Sequence, residues 1–229
     1  MKSVILIILL MCLQVAHAQF AFVKDSDGFV NIRSTETLGD NITDTLHNGH
    51  IVYCLETFQD WVMIDYQKNG IQQNGYVYKN KLQLISSYKP IPQISKKNNS
   101  ITLKRDSISV TITKKPFVKA DNKIVFTKKG EYISLAGING KSPWGTDNTL
   151  PKQQYNNFII HSGKANIVMP GNEYDDLYEP NLRATICYYD AGLRRLYIAA
   201  ENGDAAGSYA VLWVFENNKF KERVMAYGF

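Results

Sequence analysis

Gly28-Phe-Val-Asn-Ile-Arg33, Gly49, Trp61-Val-Met-Ile64, Gly75-Tyr-Val-Tyr78 and Leu82 form an ordered series in the first half of the chain. Val30 and Ile32 alternate with Asn31 and Arg33, and Val62 and Ile64 alternate with Trp61, Met63 and Asp65. That period of two is the signature of strands with one buried face. Turn chemistry punctuates the series: Asp25-Ser-Asp-Gly28, His47-Asn-Gly-His50, Lys68-Asn-Gly70 and Gln73-Asn-Gly75. Several short strands so closely spaced predict a small, closed or nearly closed β-barrel, because closure removes unpaired edges. The pattern reads as a scaffold for binding rather than for catalysis.

The second half also reads as β. Ile108-Ser-Val-Thr-Ile-Thr113 alternates, 123–127 and 132–138 are strand-length apolar runs, and 158–161 meets 165–169 across Ser162-Gly163-Lys164 as a hairpin. Four strands at 185–189, 195–200, 208–216 and 219–227 predict a meander. The third is apolar at nearly every position and is expected to be covered on both faces. A short helix is expected at 174–178, ended by Pro180. The fold class is all-β, a small barrel followed by a larger antiparallel β-sandwich or barrel. Ser86-Ser-Tyr-Lys-Pro-Ile-Pro92 and Lys96-Lys-Asn-Asn-Ser100 have linker chemistry, so the domains are placed at 19–86 and 101–229 with a linker at 87–100.

The series from Gly28 to Leu82 resembles the bacterial SH3-like domain family, whose members combine a Gly-x-x-Asn-x-Arg opening, a mid-domain glycine before a valine-rich strand, a Trp-Val strand and a Gly-aromatic-Val close. The resemblance covers residues 20–86. The chain departs from it after Arg33, where Ser34-Thr-Glu-Thr37 replaces the usual Ser-Gly-Pro. The resemblance implies a module that recognises cell-wall peptide or glycan, appended to another domain. The second half looks like exported bacterial proteins that carry such a module, through Ile138-Asn-Gly-Lys141, Pro143-Trp-Gly-Thr-Asp147, Asp176-Leu-Tyr-Glu-Pro-Asn181 and Tyr188-Tyr-Asp190. No activity comes with that second likeness.

At the start of the chain, Lys2 precedes an apolar run and Ala16-His-Ala18 precedes Gln19, as in a cleaved signal peptide spanning 1–18. Lipidation at Cys12 is disfavoured by Met11, because the preceding residue should be small. No later run reaches the ~18 apolar residues of a membrane span. The expectation is an exported protein, periplasmic or secreted, with no transmembrane segment after cleavage.

Charge comes in blocks: residues 20–78 carry net −5, residues 79–129 net +11 and residues 130–229 net −2. The basic middle reads as a solvated linker with lysine-guarded edge strands, the alternative being attraction to an anionic envelope polymer. Export and the lack of a nucleic-acid motif speak against nucleic acid as a partner. Cys54 and Cys187 remain after cleavage and read as inert buried thiols rather than a disulfide.

A Cys187–His161 dyad lacks the helix start that a reactive cysteine needs. His47 and His50 lack an evident third metal ligand. Glu173, Asp175, Asp176 and Glu179 cluster as a solvated turn, the sharper alternative being a calcium or cationic-partner site. No catalytic residue, metal or cofactor is assigned.

Ligand contact is assigned to Asn31, Arg33, Trp61, Tyr66, Tyr76 and Tyr78 in the barrel, with Phe29 and Tyr53 as further groove lining, and to Trp144 in a glycine-bounded loop of the second half. The functional expectation is a non-enzymatic binding protein whose partner is peptidoglycan or an envelope peptide or protein. The alternatives are an inhibitor or immunity protein against a cell-wall hydrolase, suggested by the Asn202-Gly-Asp-Ala-Ala-Gly-Ser-Tyr209 loop and its faint likeness to those of lysozyme inhibitors, and a cryptic hydrolase.

Overall fold

The computed structural model describes residues 19–203 and 205–227, so the expected signal peptide lies outside the described residues. The barrel region contains β1 (Gln19–Val23), β2 (Phe29–Arg33), β3 (Ile42–His47), β4 (Ile51–Phe58), β5 (Trp61–Lys68), β6 (Ile71–Tyr78) and β7 (Leu82–Leu84). They form one antiparallel sheet in the order β3-β2-β6-β5-β4-β1-β7. It curls around Val30, Ile32, Val62 and Ile64, which the alternation marks, together with Val52 and Val77. It is a half-barrel, not a closed one, since β3 and β7 are its two edges.

Two of these strands carry too weak a local signal to be read from sequence. β1 is a continuous apolar run that sends Ala21 and Val23 into the half-barrel core and Phe20 and Phe22 out of its other side. β3 is an edge strand with Leu46 as its sole buried residue, so its alternation is faint.

The rest of the chain forms β8 (Lys89–Ile91), β9 (Gln93–Lys97), β10 (Ser100–Arg105), β11 (Ile108–Pro116), β12 (Ile124–Lys129), β13 (Tyr132–Ile138), β14 (Gln153–Ser162), β15 (Ala165–Ile167), β16 (Thr185–Asp190), β17 (Arg195–Asn202), β18 (Tyr209–Glu216) and β19 (Lys219–Tyr227). Two five-stranded sheets, β15-β14-β11-β10-β9 and β19-β18-β17-β16-β8, pack face to face, while β12 and β13 form a separate ribbon. All-β architecture and the C-terminal meander are therefore as expected.

The segment expected as a linker is instead built into both sheets. β8 pairs with β16 through Ile91 opposite Cys187, and β9 pairs with β10. Prolines and exposed lysines suit an edge strand as well as a linker, because an edge tolerates missing N–H donors and charge blocks further pairing. The expected helix at 174–178 is also absent: a 3-10 turn forms at Gly171–Glu173, and the chain after it is held by an isolated bridge from Leu177 to Trp144.

β18 lies at the centre of the molecule. Tyr209, Val211, Trp213 and Phe215 face the sandwich core with Ile101, Ile112, Ile160 and Ile198. The alternate residues Ala210, Leu212 and Val214 pack with Tyr197 and Ala199 against Phe20, Phe22, Ile51 and Tyr53 of the half-barrel. The result is three layers, with the β16–β19 meander buried on both faces at β17 and β18.

Candidate functional site

Strand parity decides which aromatic rings of the half-barrel face outward. Val62, Ile64 and Tyr66 share the inward side of β5, and Val77 with Gly75 occupies that side of β6. Trp61, Met63, Tyr76 and Tyr78 therefore stand on the outer face. Trp61 is directly opposite Tyr78, with ring centroids 4.0 Å apart and planes within 25°. Phe58, opposite Trp61 on β4, lies 5.9 Å from the Tyr76 ring. The four rings form two adjoining pairs across three hydrogen-bonded strands, a rigid platform in which Trp61 is itself buried and Phe58, Tyr76 and Tyr78 are half-buried. Asp65 shares the outer side of β5, and burial pushes its carboxyl up.

Arg33 reaches this face because it pairs with Tyr76, the single register contact between β2 and β6. Its guanidinium is already engaged: Nη1 donates to Gly39 O at 2.8 Å and to Asn41 Oδ1 at 2.7 Å. Asn41 in turn donates to Thr35 Oγ1 at 2.6 Å and Thr37 O at 3.0 Å. Arg33 thus shapes the loop where the chain departs from the Ser-Gly-Pro pattern. Asn31 accepts from Thr45 Oγ1 at 3.3 Å and ties β2 to β3.

Tyr66 does not belong to this platform. It is buried on the inner side, with its hydroxyl 3.0 Å from both Asp44 Oδ2 and Gln73 Oε1. The sequence contained the signal: five residues separate Trp61 from Tyr66, and an odd separation in a strand puts two side chains on opposite faces. Tyr53 is likewise buried, 4.8 Å from Phe20 in the layer beneath the meander. Phe29 is exposed at the start of β2. Trp144 belongs to the sandwich and plugs it, with its ring 5.9 Å from Tyr209 and 5.2 Å from Tyr227, and its backbone bonded to Asp176 and Tyr178.

An apolar cleft of about 1070 Å³ opens where the half-barrel meets the meander, lined by Tyr53, Leu55, Ile85, Ile186, Tyr188 and Ala199. Cys54 also touches it, its thiol pushed up to about 12 by burial. Cys187 is buried in the sandwich core, where desolvation likewise raises its thiol. His161 is on the exposed side of β14, with Nδ1 2.7 Å from Asn166 Oδ1, so it does not form a dyad with the inward-facing Cys187.

The acidic cluster resolves into separate structural contacts. Asp176 pairs with Arg223, Asp175 with Lys141 at 2.6 Å, and Glu179 accepts the backbone N–H groups of Lys152 and Gln153. His50 has its imidazole lowered by burial, and its ring lies 6.1 Å from Tyr66. Among the described residues no group of three His, Cys, Asp or Glu side chains is placed to hold a metal ion. The described part of the 202–209 loop folds back on the sandwich, with Gly207 against Asp147.

No family model, no curated protein and no solved structure matches the chain.

Proposed function

We propose that the half-barrel is an SH3-like binding module of an exported, non-catalytic protein, and that it holds a peptide or glycan segment of the cell envelope, peptidoglycan first among them, against the Phe58, Trp61, Tyr76 and Tyr78 platform. The observation that carries this reading is the stacked Trp61–Tyr78 pair on the outer face of paired strands. Amphipathic rings fixed in this way present a flat apolar surface with polar edges at little entropic cost, which suits sugar rings and peptide backbones alike.

The test is sedimentation of the purified protein with intact peptidoglycan sacculi at low salt. The protein is expected to co-sediment, and Tyr76→Ala or Tyr78→Ala, both half-buried, to weaken retention without lowering the melting temperature by more than a few degrees. A protein that stays wholly in the supernatant rules out the cell-wall ligand. Release of soluble muropeptides would instead make the protein an enzyme.

A further inference from the structure

A second cavity, of about 660 Å³, lies in the sandwich, on different residues from the aromatic platform. Five cations line it: Lys96 and Lys97 of β9, Lys114 of β11, Lys152 just before β14, and Arg183 in the 3-10 turn Leu182–Ala184. Some lysines elsewhere are neutralised, as in Lys79–Asp60, Lys89–Asp106 and Lys141–Asp175, while others, Lys128 and Lys129 of the ribbon among them, stand on the surface without an ion pair among the described residues. Among the described residues, none of these five side chains has an ion-pair or hydrogen-bond partner. Among the described residues two carboxylates, Asp147 and Glu179, share the cavity, and Glu179 already accepts from the backbone of Lys152 and Gln153. The net field at the cavity is positive.

Much of the remaining wall is made by three segments distant in sequence, 145–147, 179–181 and Gly203, with 149–151 beside them. These are pieces of the Pro143–Asp147, Asp176–Asn181 and Asn202–Tyr209 stretches that stand out in the sequence. Their backbones are forced together. A Cβ on Gly145, at φ +84°, would lie 2.5 Å from Tyr178 O, and one on Gly203, at φ +73°, would lie 2.6 Å from Gly207 O. Asp147, Asn148 and Glu179 also adopt positive φ although they are not glycine. Unfavourable conformations of this kind persist where surrounding structure over-determines them, and they concentrate at binding sites. The support is a buried network in which Asn202 Oδ1 accepts from Tyr155 Oη at 3.1 Å and from Asn181 N at 2.8 Å, while Tyr209 Oη donates to Tyr178 O at 2.9 Å.

We propose that this cavity is an anion site for the phosphate of a phosphorylated sugar or polyol. Arg183 offers a planar donor fork to the phosphate oxygens and the lysines add point charges around it. Asp147, the cavity's carboxylate without a protein partner among the described residues, accepts hydroxyls of the sugar or polyol. The volume lies within the range of small-molecule pockets. The same chemistry is offered by a free sugar phosphate and by a repeating polyol-phosphate polymer of an envelope.

The test is isothermal titration of the purified protein with inorganic phosphate, glycerol 3-phosphate and a lipid-free poly(glycerol phosphate) chain. Saturable binding of glycerol 3-phosphate is expected, weakened about tenfold or more in Lys114→Gln/Arg183→Gln and unchanged in Lys128→Gln/Lys129→Gln on the β12–β13 ribbon. Arg183→Lys, which keeps the charge and loses the fork, falls between. If the double variant does not fold, Lys96→Gln/Lys97→Gln on the exposed edge strand replaces it. Tighter binding of the polymer identifies a polymeric source, and equal or weaker binding a free one. Equal weakening by the ribbon control would reduce the effect to diffuse charge and overturn the proposal, as would the absence of saturable binding to all three probes.

Discussion

Arg223 and Asp176 form a two-pronged ion pair that closes the β19 edge of the meander onto the loop before β16. Nη1 meets Oδ1 at 2.6 Å and Nη2 meets Oδ2 at 3.1 Å. Asp176 is buried, and Glu173 Oε2 lies 3.8 Å from Arg223 Nε. The same loop is held from the core by Trp213 Nε1, which donates to Glu173 O at 2.8 Å.

Removing one partner strands the other charge in a partly dry site. Asp176→Ala is expected to destabilise the fold by about 3 kcal/mol, measured by urea unfolding. Arg223→Lys retains the charge and loses one prong, so its loss is smaller. An Asp176→Ala variant as stable as the parent would show that the pair is dispensable.

Gly75 lies where β6 passes beneath β2. A Cβ there would collide with the Ile32 side chain and lie 2.9 Å from Arg33 O. Gly75→Ala is expected to cost about 1–3 kcal/mol and to open the contact between β2 and β6. Amide hydrogen exchange checks it, with faster exchange in β2 and β3 and little change in β17 and β18.

Acid stability should depend on Asp44. Burial works against its charge, but hydrogen bonds from Lys68, the Thr45 N–H and Tyr66 outweigh it and hold the carboxyl below its ordinary value. A carboxyl lowered in the folded state binds protons more readily when unfolded, so its contribution is full above about pH 4 and fades as pH falls through the folded value. Asp44→Asn should lower the melting temperature near neutrality, and the gap to the parent should narrow below about pH 4. A gap independent of pH would remove the linkage.

Burial raises both thiols, Cys54 to about 12. Neither is expected to react with a thiol reagent at about pH 8 in the folded protein, and both should react at once in denaturant. Because Cys54 borders the apolar cleft and Cys187 is in the core, Cys54 should be the first to label on mild destabilisation.

Much of the architecture was legible because its signals are local. Alternation and turn residues placed β2, β4, β5 and the second half of β6, although Gln73-Asn-Gly75, expected as a turn, lies inside β6, and the near-continuous apolar run of β18 announced a strand covered on both faces. The aromatic platform was partly legible: Trp61, Tyr76 and Tyr78, named together from the sequence, share one face, while Tyr66 needed a parity count across β5 to be set apart.

That this chain is built of short antiparallel strands follows from local signals alone, because the period of two and the turn residues act over a few positions. Only the tertiary structure decided that Leu212 meets Phe20 and Phe22 while Trp213 meets Phe158, since identical apolar side chains do not specify which layer will cover them. It also decided that 89–97 are edge strands, since an edge's polar, proline-bearing composition is that of a linker until its hydrogen-bond partner is known. The meeting of 145–147, 179–181 and Gly203 around five lysine and arginine side chains belongs to the same class. Those residues are brought together by long-range sheet pairing and close glycine contacts, and no local pattern records such a distance.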